Sequence, residues 1–448
     1  MKNKNVLKKG VENTSIWAAT ARMPSYPSLK KNIHAQVCII GGGIAGLTTA
    51  YLLTQAGKSV VLLEDGELAG GMTQYTTGHL SNAIDDRYYN LERMHGIEKT
   101  RLAWQSHTDA IDKIESIIKK EKISCDFERL DGFLFLGRDQ EEKVLDAELK
   151  AAHAIGFRGV EKLPSTPFAF FKSGPSLRFP SQAQFHVLKY LSKIAEAVVR
   201  EGGQIYCKTH ADDIKRGEPA QITAGKFSVT ADALVIATNN PINDLVAIHT
   251  KQPAYMTYVI AAKAPRHSLK KGLYWDTEDP YHYIRTQRIS KSDDQVMLII
   301  GGEDHKSGQE ENTHKRYVRL EQWARERFPE MGAVEFRWSG QVMESIDGIG
   351  FIGKNPLDKD NVFVITGDSG LGLTNGTIGG MLLTDLIMGK KNRFQELYDP
   401  SRKTIRAIGE YAKETANMAS QYVDWLTPGD VDSVSKIEND SGAVIRRG

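Results

Sequence analysis

Residues 37–64 decide the fold, and they read VCIIGGGIAGLTTAYLLTQAGKSVVLLE. The apolar run over residues 37–40 is typical of a strand that is buried on both faces. It leads directly into GGGIAG at residues 41–46, which matches the pattern G-x-G-x-x-G. A helix is predicted over residues 47–55, and a second apolar strand follows over residues 60–63. This order of strand, glycine-rich turn, helix and strand is typical of a βαβ unit that binds a dinucleotide.

Each part of this unit has a physical role in holding a dinucleotide. Gly41 permits the tight turn, Gly43 lets the backbone approach a pyrophosphate, and Gly46 lets helix and strand pack closely. Free N–H groups at the start of the helix attract phosphates. Glu64 follows the second strand and can accept a hydrogen bond from a ribose 2′-OH. The alternative, a glycine-rich turn in some other α/β unit, is disfavoured because all the parts occur in register.

The composition describes a large globular protein. Its 448 residues are 40% hydrophobic, which is enough for a large core and two domains. The formal net charge is +2 without a long block of like charge, so no nucleic-acid partner is expected. Cys38, Cys125 and Cys207 are scattered without the spacing of a metal site, so we expect reduced thiols, no metal and a cytoplasmic location. No apolar run reaches the length of a transmembrane segment.

Further strands of the parallel sheet are predicted far apart in the chain. Apolar strands are predicted over residues 233–238 and 361–366, with antiparallel strands between residues 255 and 302. We therefore predict an α/β protein, with a Rossmann-like cofactor-binding domain built on a parallel sheet and a β-rich α+β substrate domain. The predicted segments are an N-terminal arm over 1–33, a discontinuous cofactor domain over 34–125, 178–245 and 338–394, a substrate domain over 126–177 and 246–337, and a C-terminal helix with a linker-like tail over 395–448.

Several local predictions can be compared directly with a structure. They are an extended surface segment that includes Trp17, one helix over 91–119, a strand over 127–136 with a turn at Asp131-Gly132, irregular chain over 157–180, a helix from about Gly376 to Met388, and a last helix over 402–425.

Four sequence blocks resemble the FAD-dependent amino-acid oxidase superfamily, which includes glycine, sarcosine and D-amino-acid oxidases and dehydrogenases. The blocks are GGGIAGLTTAYLLTQAGKSVVLLE, ADALVIAT, WSGQVMESIDGIGFIG and NVFVITGDSGLGLTNGTIGGMLLTDLI. Within this superfamily the chain is most similar to bacterial flavoprotein modules that precede a Rieske iron–sulfur domain. That likeness is carried by YTTGHLSNAIDDRYYNLE, LIIGGEDHKSG and SQYVDWLTPGDVDSV.

A second glycine-rich turn at residues 367–374 favours FAD over NAD. It follows an apolar strand and opens a helix, so it presents N–H groups and the positive end of a helix dipole. Such donors would stabilise an anionic reduced flavin ring, and a NAD-dependent dehydrogenase does not need them. The resemblance places residues 370–373 at the ring and the backbone near Ala211 at the adenine. The residues predicted to contact FAD are Gly41, Gly43, Ile44, Ala45, Gly46, Glu64, Gly71, Met72, Thr73, Thr76, Thr77, Ala211, Thr238, Gly340, Gly367, Gly370, Leu371, Gly372, Leu373 and Thr374.

The resemblance also implies a substrate site, with one departure from its pattern. The amino-acid oxidases carry an arginine two positions after the glycine that corresponds to Gly340, and this chain has Val342 there. Strand alternation places Tyr281, Tyr283 and Arg285 on one face, where the guanidinium could replace that arginine. The alternative is a solvated arginine beside packed aromatic rings.

His79 follows the loop predicted to lie near the flavin. It is a candidate acid, base or ring contact, and the alternative is a structural histidine that forms hydrogen bonds.

These observations predict an FAD-dependent oxidoreductase that oxidises a C–N bond of an amine or amino-acid-like molecule by hydride transfer to flavin. The alternatives are a 2-hydroxy-acid or polyol-phosphate dehydrogenase on the same fold, and a flavoprotein whose FAD is structural. We expect FAD to be non-covalent, because Tyr75 stands where relatives with a covalent link have histidine. A Rieske centre needs two Cys and two His, and no Cys follows Cys207. The chain as given is therefore not expected to carry an iron–sulfur cluster. The alternatives are a different electron acceptor, or a sequence that is a fragment of a longer protein and ends at the boundary to a Rieske domain. The resemblance implies a Rieske domain or another redox protein as the electron acceptor.

Overall fold

The computed structural model describes residues 13–403 except for residues 169, 170, 243–247, 249, 250, 290–293, 311 and 357. The helix predicted over residues 402–425 lies outside the described residues except for its first two positions, and the predicted tail lies wholly outside them. The α-helices are α1 (Ile16–Thr20), α2 (Ile44–Gln55), α3 (Tyr88–His95), α4 (Ile97–Glu121), α5 (Lys143–Ala154), α6 (Val187–Arg200), α7 (His314–Arg327), α8 (Gly372–Ile387) and α9 (Gln395–Tyr398). The strands are β1 (Ile33–Ile40), β2 (Val60–Leu63), β3 (His79–Leu80), β4 (Glu128–Phe135), β5 (Glu161–Leu163), β6 (Ser176–Gln184), β7 (Gln204–Tyr206), β8 (Asp213–Lys215), β9 (Ala220–Ala224), β10 (Phe227–Ile236), β11 (Ala254–Pro265), β12 (Leu273–Asp276), β13 (His282–Arg288), β14 (Gln295–Lys306), β15 (Val334–Met343), β16 (Phe351–Lys354) and β17 (Val362–Thr366).

The first sheet is the predicted parallel sheet. Its strands follow the order β16-β17-β10-β1-β2-β7, and β8 and β9 extend it beside β10. The pairs from β17 through to β7 are parallel, and β16 joins the edge antiparallel to β17. All four residues of β2 are buried, as expected for a strand covered on both faces. The strands come from the beginning, the middle and the end of the chain, so this part of the prediction is confirmed.

Helices α2 and α8 pack against each other through glycine. A Cβ atom on Gly376 would lie 3.1 Å from the backbone nitrogen of Ala45, and one on Gly380 would lie 3.1 Å from that of Thr49. The absence of side chains at these two positions lets the helix backbones approach closely. The two glycine-rich turns that precede these helices are consequently brought side by side.

The second sheet is β-rich and mostly antiparallel. Its strands follow the order β15-β11-β14-β13-β12-β4-β6-β3, and β5 pairs with β6. Helix α7 covers one face, where Leu320, Trp323 and Ala324 pack into a core with residues of β11 and β14. Three of its strands, β3, β6 and β15, fall partly or wholly in segments predicted for the cofactor domain. The division of the chain into two domains stays a prediction, since the two sheets share one compact unit that extends to Lys403.

The long helix predicted over residues 91–119 is two helices, so the prediction of a single helix is wrong. The chain turns at Gly96, whose φ of +79° is left-handed. Glycine adopts this conformation without the steric cost of a Cβ atom. It ends α3 at His95, and α4 begins at Ile97.

Asp131-Gly132 lies inside β4, so the predicted turn is wrong. The register between β4 and β6 shifts between Leu130 and Gly132, which is a β-bulge that accommodates the glycine. A Cβ atom on Gly132 would lie 2.7 Å from the Trp275 indole. Glycine at this position therefore leaves room for the Trp275 side chain.

Two further segments differ from their predictions. Residues 157–180 include β5 and the beginning of β6, so they are not wholly irregular. Trp17 does not lie on the surface: it belongs to α1, is 0% exposed, and donates its indole N–H to the Thr76 carbonyl oxygen at 2.6 Å. The N-terminal helix thus contacts the loop that precedes β3.

No helix among the described residues is both long enough and apolar enough to cross a membrane.

Candidate active site

A cavity of about 440 Å³ lies where the carboxyl ends of the parallel strands face the second sheet. The residues predicted to contact FAD line this cavity, with the exception of Gly46, Gly367 and Thr374. An open α/β sheet binds its ligand at this edge, because the turns that leave neighbouring strands converge there. Sequence motifs that are far apart in the chain are therefore adjacent in the structure.

The first glycine-rich turn is shaped by backbone contacts that exclude side chains. Gly41 has a φ of +106°, and a Cβ atom on it would lie 2.4 Å from the carbonyl oxygen of Ala237. A Cβ atom on Gly46 would lie 1.8 Å from the carbonyl oxygen of Gly41. One on Gly43 would lie 2.9 Å from the Thr73 hydroxyl, which accepts a hydrogen bond from the backbone N–H of Ile44 at 3.1 Å. Here the cavity wall is bare backbone, as a pyrophosphate requires.

Glu64 lies at the end of β2 and lines the same part of the cavity. Its carboxylate accepts hydrogen bonds from the backbone N–H groups of Gly42 at 2.6 Å and Gly66 at 3.0 Å. One carboxylate oxygen is thus bound to the glycine-rich turn and the other to the backbone just after Glu64. The acid is thereby fixed beside the turn, where it can accept a hydrogen bond from a ribose hydroxyl.

The second glycine-rich turn connects β17 to α8. Gly367 and Gly370 have φ values of +69° and +79°, so the turn uses two left-handed glycines. Helix α8 begins at Gly372, earlier than the predicted start near Gly376. Two helix N-termini, those of α2 and α8, therefore border one cavity. This arrangement, with the bare first turn and Glu64, fits the ADP and ring portions of FAD.

One end of the cavity is aromatic and acidic. We call it the acidic end and define it by Asp85, Thr257, Tyr281, Tyr283 and Asp304, all of which line the cavity. The Tyr281 hydroxyl donates to Asp85 Oδ2 at 3.2 Å, and the hydroxyls of Tyr283 and Thr257 are 2.9 Å apart. The two tyrosine rings have centroids 5.6 Å apart. Strand β13 and the residue before it thus present both predicted phenols to the cavity.

Burial perturbs the carboxyl groups around this end. It raises the pKa of Asp85 to about 6, and the nearby charge of Arg87 opposes the rise. Burial likewise raises the pKa of Asp304 to about 7 and that of Asp368, a third lining residue, to about 6. Raised carboxyl pKa values in a cleft are typical of functional sites. Sequence reasoning missed these acids, although Asp85 and Asp304 lie inside two blocks that carried the family likeness.

Arg285 does not line the cavity, and the prediction that its guanidinium binds an anionic substrate is wrong. Its side chain is 0% exposed. Nη1 donates to the carbonyl oxygens of Thr77 at 3.1 Å, Gly78 at 2.8 Å and Phe185 at 3.2 Å. The guanidinium carbon lies 5.3 Å from the centroid of the Trp17 ring. Arg285 therefore holds the loop before β3 in place, and burial lowers its pKa to about 9.

His79 and Val342 both line the cavity. The Nδ1 atom of His79 lies 2.8 Å from the Thr77 hydroxyl, and its ring meets Tyr283 edge-on at 5.8 Å between centroids. Burial, reinforced by the charge of Arg285, lowers the pKa of His79 to about 3. The imidazole is consequently neutral at physiological pH. A catalytic role for His79 stays a prediction.

Outside the cavity, the described residues bring together one group of potential metal ligands, formed by Asp276, Glu278 and His282. The Nδ1 atom of His282 lies 3.0 Å from Asp276 Oδ2, and its ring stacks on Trp323 at 4.1 Å between centroids. The Nη2 atom of Arg327 lies 3.6 Å from the Oε1 atom of Glu278. These contacts describe a buried network of ion pairs.

The comparison with known proteins agrees with the geometry of the cavity. A family model described as FAD dependent oxidoreductase, named DAO, matches residues 36–386. The chain belongs to this family. The resemblance drawn from the four sequence blocks is therefore confirmed, and so is the prediction of an oxidoreductase that depends on FAD.

Two relatives of this DAO-family chain have names that refer to an iron–sulfur protein and to the oxidation or reduction of an amine. The putative Rieske 2Fe-2S iron-sulfur protein YhfW of Bacillus subtilis (strain 168) is 30% identical over 406 residues, which cover 90% of this chain and 78% of that protein. Gamma-glutamylputrescine oxidoreductase of Escherichia coli (strain K12) is 24% identical over 411 residues, which cover 88% of this chain and 94% of that protein.

Solved structures show the same fold. Glycine oxidase from Geobacillus kaustophilus superimposes with a TM-score of 0.70 at 19% identity, covering 83% of this chain and 100% of that one. The predicted fold class, an α/β flavoprotein with a parallel sheet and a second β-rich part, is confirmed by this match.

Proposed function

We propose that this DAO-family oxidoreductase oxidises the C–N bond of an amine or amino-acid-like small molecule, using FAD that is held without a covalent bond. The observation that carries the proposal is a single cavity that runs from the bare glycine-rich turn to the phenols of Tyr281 and Tyr283. Cofactor and substrate can therefore meet inside it. The name of the Escherichia coli relative, an oxidoreductase of gamma-glutamylputrescine, supports an amine substrate.

The chain contributes binding and orientation to this reaction. Bound FAD supplies the two-electron acceptor. The N–H groups at the beginning of α8 border the cavity and would stabilise negative charge on a ring bound beside them. Tyr281 and Tyr283 form one wall of the substrate space, and their hydroxyls are oriented by Asp85 and Thr257. The neutral His79 adds a polar group that carries no charge.

An anaerobic screen of substrates tests this function. Purified protein containing FAD is mixed with amines, amino acids, 2-hydroxy acids and polyol phosphates, and the flavin absorption band is followed. We expect amines or amino acids to bleach the band. Bleaching by hydroxy acids or polyol phosphates alone would contradict C–N oxidation. Bleaching by dithionite alone would support a structural FAD.

The non-covalent attachment has its own test. Tyr75 lines the cavity where the resemblance places the covalent histidine of some relatives. The cysteines that the structure describes, Cys38, Cys125 and Cys207, are free and buried, and none of them lines the cavity. Acid precipitation should release the flavin into the supernatant. Yellow colour that remained in the pellet would contradict the proposal.

The proposed electron acceptor is a one-electron redox protein of the Rieske type. The name of the Bacillus subtilis relative supports this choice. We expect the substrate-reduced flavin to reoxidise slowly in air, and an added one-electron acceptor to restore turnover. Peroxide release that matched substrate consumption would instead show an oxidase.

A further inference from the structure

The acidic end of the cavity collects carboxyl groups, and the positive charges that act on them, Arg87 on Asp85 and His282 on Asp304, belong to residues that do not line the cavity. Asp85, Asp304 and Asp368 line the cavity, and none of the described lining residues is a lysine or an arginine. The charge of Arg87 acts on Asp85, but its guanidinium donates to the backbone carbonyl oxygens of Asp85 at 3.2 Å and Asp276 at 3.1 Å. Burial raises the pKa of Asp85 and Asp368 to about 6 and that of Asp304 to about 7, and a bound cation would favour the ionised form of each carboxyl group.

Asp304 is the clearest example of a carboxyl group that a ligand in the cavity can bind. Its Oδ1 atom is buried and has no hydrogen-bond partner among the residues that the structure describes. A buried carboxylate oxygen without a partner costs free energy, and the charge of an ammonium ion bound beside it would offset part of that cost. The Tyr281 hydroxyl donates to Asp85 and the Thr257 hydroxyl to Asp304, and each carboxylate keeps further lone pairs for a ligand.

The aromatic walls point to the same kind of ligand. The rings of Tyr281 and Tyr283 are 5.6 Å apart between centroids, tilted by 39°, and both line the cavity with Trp275. Aromatic faces attract cations through their quadrupole, and carboxylates attract them through charge. Val342 stands where the amino-acid oxidases carry the arginine that binds a substrate carboxylate, and no lysine or arginine among the described residues lines the cavity in its place.

We propose that the acidic end binds an ammonium group, and that the substrate is an aliphatic amine that carries a second cationic group and no carboxylate. The proposal rests on the function proposed above and names its substrate class. Asp304 and Asp85 hold the distal ammonium while the other amine, unprotonated, undergoes oxidation. A hydride leaves the carbon of the C–N bond for FAD, the nitrogen lone pair forms the C=N bond of an iminium, and water hydrolyses the iminium of a primary amine to an aldehyde and ammonium.

A series of three compounds of similar length tests the proposal. Their distal groups are cationic in 1,4-diaminobutane, neutral in butylamine and anionic in 4-aminobutyrate. The second-order rate constant of anaerobic flavin reduction should be at least tenfold lower for butylamine than for 1,4-diaminobutane, and at least tenfold lower again for 4-aminobutyrate. This size is expected because a hydrogen bond to a charged group contributes about 1.5–3 kcal/mol. An equal or reversed order would overturn the proposal.

Variants connect this preference to named residues. Asp304→Asn and Asp85→Asn should each reduce the preference for diaminobutane over butylamine by about tenfold or more. Asp139→Asn is the control, because Asp139 is exposed and does not line the cavity. It should leave the preference within twofold. A preference that survived in both acidic-end variants would overturn the proposal.

Binding without turnover gives an independent measurement. Calorimetry with tert-butylammonium, which has N–H donors but no hydrogen on the carbon of its C–N bond for flavin to remove, should show binding to the holoenzyme that is lost in Asp304→Asn, and acetate should show none. If other amines or amino acids reduce the flavin and the cationic series does not, this proposal fails and C–N oxidation stands. If no nitrogen compound reduces it, the proposed function itself fails.

Discussion

Gly46→Ala should separate the role of helix packing from that of direct contact with the cofactor. Gly46 does not line the cavity, yet a Cβ atom there would lie 1.8 Å from the carbonyl oxygen of Gly41. The helix and the turn must move apart by about 1.2 Å to reach the 3.0 Å below which Cβ contacts essentially never occur. Overpacking of this kind costs about 1–3 kcal/mol. Because Gly41 belongs to the turn that is predicted to hold the FAD phosphates, we also expect FAD affinity to fall at least tenfold, or about 1.4 kcal/mol.

Two measurements test this expectation. Urea unfolding of the apoprotein gives the loss of stability, and fluorescence titration of the apoprotein with FAD gives the dissociation constant. Gly66→Ala is the matched control, since its Cβ atom would come no closer than 3.8 Å to the nearest side-chain atom, an oxygen of Glu64. The reasoning is refuted if Gly46→Ala matches the wild type in both measurements, or if Gly66→Ala loses as much FAD affinity.

Three further substitutions test other parts of the structure. Glu64→Arg should weaken FAD binding by about 1–3 kcal/mol, because it removes a charged hydrogen-bond acceptor from the cavity; a fluorescence titration with unchanged affinity would contradict this. Burial lowers the pKa of His282, but hydrogen bonds to carboxylates, first that of Asp276, raise it to about 9. The protonated imidazole therefore stabilises the fold fully below about pH 6.5, and this contribution is lost as the pH rises through about 9. Between pH 6 and 10 the urea midpoint should fall less in His282→Gln than in the wild type. Arg285→Met should lower the free energy of unfolding by on the order of 3 kcal/mol, whereas the exposed Arg288→Met should change it little, and equal urea midpoints for the two variants would disprove the role assigned to Arg285.

Local sequence patterns predicted the acidic end of the cavity only in part. Alternation along a strand correctly placed Tyr281 and Tyr283 toward the cavity, because successive side chains of a strand point to opposite faces. The same rule included Arg285, but the cavity ends before that position, and the loop at residues 77–78 covers it with carbonyl oxygens. Only the packing of α1 and this loop determined that the guanidinium is buried.

The sequence by itself determined the cofactor end of this protein. The first glycine-rich turn, α2, β2 and Glu64 are consecutive in the chain, so their spacing carries the geometry that a dinucleotide requires. The acidic end could not be obtained in this way. Asp85 lies in a loop after β3 and Asp304 lies in β14, and they face one cavity only because the second sheet folds over the edge of the first. Contacts between segments that are distant in the chain form only when the whole protein folds, so they cannot be predicted from a local pattern of residues.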